Sequence, residues 1–210
     1  MSAKPLIILG TANRKKAIEL AEVLAPVGLR LVSLADIPNA IQVAEDGDTF
    51  VANAALKATR QARHLGHWVL GEDSGLLVDA LDGAPGVFSA RYSGQGATDE
   101  SNNRLLLERL GSIPLQERTA RYVCHMALSD PSGRIRAESE GTCRGRIMFA
   151  RRGTHGFGYD PLFEVIEYHR TFGELSSLVK TCLSHRARAA RQLIPQLMEL
   201  VDTEQLRDEG

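Results

Sequence analysis

Carboxylates placed after an apolar strand, lysines at the start of a helix and glycine-rich turns recur along this 210-residue sequence, and together they suit phosphate chemistry. The segment GTANRKK (10–16) lies between an apolar run and a helical pattern. A helix N-terminus offers unpaired N–H groups and partial positive charge, so it can hold phosphate. Lys15 and Lys16 sharpen that expectation: cations in a first helical turn are unfavourable by about 0.3–1 kcal/mol each, and an anionic ligand would offset the cost. The candidates there are Thr11, Ala12, Asn13, Arg14, Lys15 and Lys16, against the alternative of a plain turn with solvated lysines. Neither the P-loop pattern nor the dinucleotide-binding glycine fingerprint is present.

The segment GEDSG (71–75) brings Glu72 and Asp73 directly after an apolar run. Neighbours in a regular strand point to opposite faces, so both acids serve one site only if the chain turns at Ser74-Gly75, and a turn is expected there. Oxygen ligands at a strand end suit Mg²⁺, and a carboxylate beside a metal can deprotonate water. A solvated polar loop is the alternative. Glu45, Asp46 and Asp48 precede a helical pattern, where acids cap the helix and favour its dipole. A catalytic part for Glu45 needs support from elsewhere.

Further on, KTCLSHRARAAR (180–191) loads a helix start with His185, Arg186, Arg188 and Arg191 behind the candidate N-cap Ser184. Lys180, His185 and Arg186 are candidate donors to a ligand; a solvated basic face is the alternative. In GFGYDP (156–161), two glycines let backbone approach a ligand, Phe157 or Tyr159 can stack on a base, and Asp160 can accept a hydrogen bond. A tight turn with core aromatics would read the same way.

The elements that must position these residues alternate between strand and helix. Apolar runs at Leu6–Leu9, Leu29–Leu34, Trp68–Gly71 and Leu76–Ala80 predict strands, as do Thr119–Leu128 and Arg134–Ile147 around the turn DPSG (130–133), and Leu162–Ile166. Helices are predicted over Lys15–Ala25, Thr49–Leu65, Asp99–Leu110 and Ser184–Val201. Residues 81–98 read as a long, irregular glycine-rich segment, and 203–210 as a frayed tail. This order predicts an α/β fold: a mixed central sheet with flanking helices, in one two-lobed domain over 1–210.

With 25 Lys+Arg against 26 Asp+Glu the chain is nearly neutral, which argues against a nucleic-acid polymer as partner. No apolar run approaches the ~20 residues of a membrane span. The start reads as a first strand instead of a signal peptide. Cys124, Cys143 and Cys182 are scattered and unpaired in pattern, which points to a reducing compartment and a cytoplasmic location.

Six segments in order then resemble the inosine triphosphate pyrophosphatase family. They are Thr11, Asn13 and Lys16; Thr49, Phe50, Asn53, Ala54, Lys57 and Ala58; EDSGL (72–76); GAPGVFSARYSG (83–94); GFGYDPLF (156–163); and SHRARA (184–189). The resemblance implies a long mixed sheet with two lobes, the nucleotide in the cleft between them, and a homodimer. It implies Asp73 as general base and Mg²⁺ ligand, with Glu45 and Glu72 around the metal. Thr11, Asn13, Lys16, Lys57 and Ser74 would fall near the triphosphate; Phe157, Gly158, Tyr159, Asp160, Lys180, His185 and Arg186 near base and sugar. Bacterial members often carry Asp where this chain has Glu72, which leaves the division of labour between Glu72 and Asp73 open. The implied activity is hydrolysis of ITP, dITP and XTP to monophosphate and pyrophosphate. The rivals are a Maf-like pyrophosphatase of other base specificity and a non-catalytic nucleotide sensor.

Overall fold

Residue choice at the chain's turning points sets the element boundaries of the computed structural model, which describes residues 4–206. Strand β1 (Leu6–Leu9) is followed by α1 (Arg14–Leu24), whose N-cap Asn13 accepts hydrogen bonds from the backbone N–H groups of Lys15 and Lys16. Strand β2 (Arg30–Ser33) returns parallel to β1, Leu6 opposite Arg30. Helix α2 (Phe50–Leu65) starts at Thr49, whose hydroxyl accepts from the Ala52 N–H, and stops at left-handed Gly66. Then come β3 (Val69–Val78), α3 (Asp99–Leu110), β4 (Thr119–Ser129), β5 (Ile135–Ile147), β6 (Phe163–Val165), β7 (Arg170–Thr171), α4 (Ser177–Leu183) and α5 (His185–Asp202).

The fold is α/β, as expected. Among the described residues seven strands run in the order β2-β1-β3-β4-β5-β6-β7, parallel at β2/β1/β3 and antiparallel at β5/β6/β7. The chain forms two units. The first takes in the described residues up to Asp73, Cys124–Gly141 and the described residues from Arg186 onward; the second takes in Ser74–Val123 and Thr142–His185.

Within the first unit, alternation along each strand divides the core. Ile7 and Leu9 of β1, with Trp68 and Leu70, pack against Leu20 and Leu24 of α1 and Ala190, Leu193 and Leu197 of α5. Ile8 and Val69, one residue out of step, face Ala62 of α2 instead. Helix α2 comes so close to β3 that a Cβ on Gly71 would overlap the Ala54 carbonyl oxygen and lie 2.7 Å from the Ala58 nitrogen. Glycine is required there by the approach of the helix. The second unit has its own core, with Leu76, Leu106, Leu110, Tyr122, Phe163 and Phe172.

Three expectations are corrected and one helix is added. GEDSG is no turn: β3 runs unbroken through it from Val69 to Val78. Helix α4 is unexpected, because polar Ser176-Ser177 and the short span 177–183 conceal it; its C-cap Ser184, in extended backbone, directly precedes α5 at His185. Residues 81–98, read as irregular, contain a 3₁₀ helix at Gly86–Arg91. Of the tail read as frayed, Leu206 is buried in the core of the first unit, and 207–210 lie outside the described residues.

Candidate active site

Because β3 stays regular, Glu72 and Asp73 leave it on opposite faces and find different partners. Asp73, on the α2 side, is 6% exposed. Its Oδ1 lies 3.0 Å from Lys57 Nζ, and its Oδ2 accepts from Asn53 Nδ2 at 3.2 Å. Asn53 and Lys57 are four apart on α2 and therefore share a face. The same Lys57 ammonium lies 3.1 Å from Glu45 Oε2, so one cation joins two carboxylates. Burial raises the Asp73 carboxyl above its usual range, and Lys57 only partly opposes this. Burial alone would lower Lys57, but Asp73, Glu72 and Glu45 outweigh it and hold the ammonium above its ordinary value.

Glu72 points to the α1–α5 side and is 1% exposed. Lys16 Nζ lies 3.0 Å from its Oε2 and Arg186 NH2 3.0 Å from its Oε1, which also accepts from the Cys124 thiol. Arg186 NH1 reaches Glu19 as well. Burial would lower the Arg186 guanidinium, yet Glu72 and Glu19 keep it charged well above any working pH. The first-turn cations of α1 and α5 thus have internal counter-charges: Lys16 and Arg186 meet on Glu72. Burial first, then the nearby Glu72 charge, pushes the Cys124 thiol up, which keeps it neutral.

Of the other GTANRKK residues Gly10 is buried, Thr11 is half-buried and 12–15 are exposed. Thr11 Oγ1 accepts from the Asn13 N–H at 3.2 Å, Ala12 and Lys15 are exposed, and Arg14 forms an exposed ion pair with Asp36 at 3.0 Å. Asn13 Oδ1 serves as the helix cap. Among the described residues, no group of three or more His, Cys, Asp or Glu gathers into a metal site. Glu45 and Asp73 meet at Lys57; Glu72 stands apart from them.

In the second unit, Ser74 continues β3, while Asp160 is the hub of the GFGYDP turn. Its Oδ2 receives Lys180 Nζ at 2.7 Å and the Phe157 N–H at 2.9 Å, and its Oδ1 lies 3.4 Å from the Tyr122 hydroxyl. A Cβ on Gly156 would overlap Asp160 Oδ2, and Gly156 also has φ +78°, so the turn needs glycine twice over. Lys180 Nζ sits 4.4 Å from the Phe157 ring centroid. His185 is stacked on Tyr122, centroids 4.6 Å apart and planes 10° from parallel. Gly158 is held by α3: its N–H donates to Asp99 and its carbonyl accepts from Asn103. Tyr159 is 3% exposed with its hydroxyl donating to the Ser89 carbonyl, and burial raises that phenol far above its usual value. Of the two aromatics named for stacking, Tyr159 is core and Phe157 is half-buried beside a cation.

The Ham1 family profile matches residues 7–196, nearly the entire chain. This protein belongs to the Ham1 family. A dITP/XTP pyrophosphatase of Rhodopirellula baltica is 56% identical over 197 residues, covering 94% of this chain and 95% of its own. One of Desulforamulus reducens is 46% identical over 92% of this chain and 96% of its own. Among solved structures, a HAM1 protein from Coxiella burnetii superposes with TM-score 0.84 at 36% identity, covering 93% of this chain and 99% of that one. As in other α/β proteins, the Ham1 fold alone does not assign roles to side chains.

Tyr122, Asn103, Asp99 and Glu19 are partners of the candidate residues that no sequence motif marks. Tyr122 reads as one more inward residue of β4, and Asp99 as an ordinary acid in a first helical turn. Asn53 stood inside a motif without a role. Its one local signal is a buried amide in the helix α2, where Asn is a poor helix former.

Proposed function

We propose that this chain is a Mg²⁺-dependent nucleoside-triphosphate pyrophosphatase that converts non-standard purine nucleotides, dITP, ITP and XTP, to the monophosphate and pyrophosphate. The Lys57 ammonium shared by Asp73 and Glu45, in a chain whose relatives are named dITP/XTP pyrophosphatases, carries this reading. Two carboxylates converging on one cation fit Mg²⁺, which takes hard oxygen ligands, one or two of them carboxylate, beside substrate phosphate. Glu45 and Asp73 would hold the ion, which would neutralise charge on the phosphate oxygens and acidify nearby water. Glu72 contributes to the same centre by fixing Lys16.

Asp73 takes the proton of the attacking water; its raised affinity for a proton suits it to that work. The water oxygen forms a bond to the α-phosphorus, the bond from that phosphorus to the α–β bridging oxygen breaks, and pyrophosphate leaves with the electron pair. Lys57 and Lys16 neutralise the charge that develops. Thr11, Ala12, Asn13, Arg14, Lys15 and Ser74 bind the triphosphate. Phe157, Gly158, Tyr159, Asp160, Lys180 and His185 form the base and sugar side, while Arg186 acts through Glu72, which it holds at 3.0 Å. Hypoxanthine and xanthine present a carbonyl at C6 to donors there, whereas adenine presents an amino group, and a mismatched polar group can cost 10⁴–10⁵ in selectivity.

With dITP and Mg²⁺, chromatography should show dIMP and pyrophosphate as first products. Appearance of dIDP and orthophosphate first would overturn the bond assignment, and binding without turnover would favour a sensor. The protein is further proposed to be a cytoplasmic homodimer. Its three free cysteines support a reducing compartment, and light scattering at the mass of one chain would exclude the dimer.

A further inference from the structure

We infer that Asn53 is a positioning residue that sets the two carboxylates of the site relative to each other through the two ends of one amide. Its nitrogen grips Asp73 Oδ2 at 3.2 Å, and its oxygen accepts the Gly47 N–H at 2.9 Å, in the loop that carries Glu45. The inference rests on Asp73 as the base and Glu45 as its partner.

Asn53 is 1% exposed in the second turn of α2. Asn is a poor helix former, and a buried amide costs free energy unless both ends are bonded. Both ends are bonded here. Reversing the amide would set its oxygen against a carboxylate and its NH₂ against an N–H, so its orientation is unambiguous. No other side chain of this length has one donor and one acceptor: Asp lacks the donor, and Leu lacks both.

The two bonds act on different parts of the site. With Asn53 on Oδ2 and Lys57 on Oδ1, the Asp73 carboxylate cannot rotate without losing one partner. On the other side, the acidic loop lies flat on α2, because a Cβ on Gly47 would come within 2.8 Å of both Ala52 Cβ and Asn53 Oδ1. Glu45 is two residues from that anchor, and its Oε2 meets Lys57. Asn53 therefore fixes the acidic loop and the base in one register, and Lys57 bridges them.

The test compares wild type, Asn53→Ala, Asn53→Asp and Gly47→Ala, with Asn53→Ala also placed in the Asp73→Asn background. Two measurements are made: pyrophosphate release from dITP, and hydrogen exchange of the Gly47 amide without ligand. Asn53→Ala and Asn53→Asp should lower kcat by about 30- to 100-fold with KM within about threefold, as expected when a reacting group is misplaced by about an ångström. Gly47→Ala, which pushes the loop from the other side, should reproduce that pattern. In the Asp73→Asn background Asn53→Ala should change residual kcat by less than about threefold, since one of the two carboxylates it sets against each other is gone. Gly47 exchange should speed up at least about tenfold in Asn53→Ala and stay near wild type in Asp73→Asn.

Equal fold-losses in both backgrounds would make Asn53 a fold residue and overturn the inference, as would wild-type kcat or unchanged Gly47 exchange in Asn53→Ala. If Asn53→Ala shows no cooperative melt, the near-isosteric Asn53→Asp and the distant-side Gly47→Ala decide by the same kcat criterion. A wild-type protein that releases no pyrophosphate from dITP would sink the proposed function; the exchange measurement still judges the clamp.

Discussion

Glu72 and Asp73 are adjacent, chemically alike and both buried, yet they have separate work. Asp73 is held by one cation and one amide, and its proton affinity is raised by burial, which suits a base. Glu72 is held by Lys16 and Arg186 and is the fixed point of a buried charge network. Breaking a buried pair by removing one partner costs about 3–5 kcal/mol, because the other charge stays buried. Arg186→Ala should accordingly destabilise the protein by that order in denaturant titration. Glu72 would lose a fixed partner, and through it Lys16, so kcat/KM should fall by similar factors on dITP, dGTP and dATP. A loss confined to dITP, with stability intact, would instead make Arg186 a reader of the base.

Among elements, the approach of α2 to β3 matters most. Gly71 admits the helix backbone, and only at that distance can Asn53 and Lys57 reach Asp73. Gly71→Ala should cost about 3 kcal/mol, since overpacking against backbone has no side chain to yield. It should also lower kcat on dITP. A fully active variant of wild-type stability would show that the helix is not tied to the strand. The β4–β5 turn offers a pH test. Burial pushes the Asp130 carboxyl up, but hydrogen bonds from Ser132, Arg134 and Arg136 outweigh it and leave it below its usual range. A depressed carboxyl contributes stability above its unfolded pKa of about 4 and loses it as pH falls through its folded value. Asp130→Asn should therefore cost about 1–2 kcal/mol at pH 7, a gap that closes in melts below about pH 4. An equal gap at both pH values would mean that charge plays no part.

At the scale of the whole molecule, each of the two units has its own core and its own buried ion pairs: Glu72–Arg186 in the first, Asp160–Lys180 in the second. Metal removal tests the first unit's proposed role. Chelation should abolish pyrophosphate release from dITP, and Mg²⁺ should restore it. Mg²⁺ should also raise the melting temperature, because a ligand bound only to the native state stabilises it by mass action. Turnover that persists in excess chelator would leave the carboxylates with Lys57 as their only cation. The lysine-rich turn of α1, Asp73, and the α/β order were all legible in the sequence because short-range patterns carry them: apolar runs, helix caps, and ordered motifs. Helix α4 escaped notice because its seven residues are too few to show a period, and Tyr122 because an inward strand aromatic looks the same whether it packs a core or supports a histidine.

The sequence by itself determined which residue types stand at the site and the family they belong to, since both are written in local order. Only the tertiary structure decided which side chain serves which partner. Arg186 meets Glu72 across 114 positions, and Lys57 meets Asp73 across 16. Whether Glu72 and Asp73 share a partner depends on whether β3 turns or runs on at Ser74. Neighbouring strands and the close packing of α2 on Gly71 support a continuous strand, and the two-residue alternation of side chains then sends adjacent carboxylates to opposite faces.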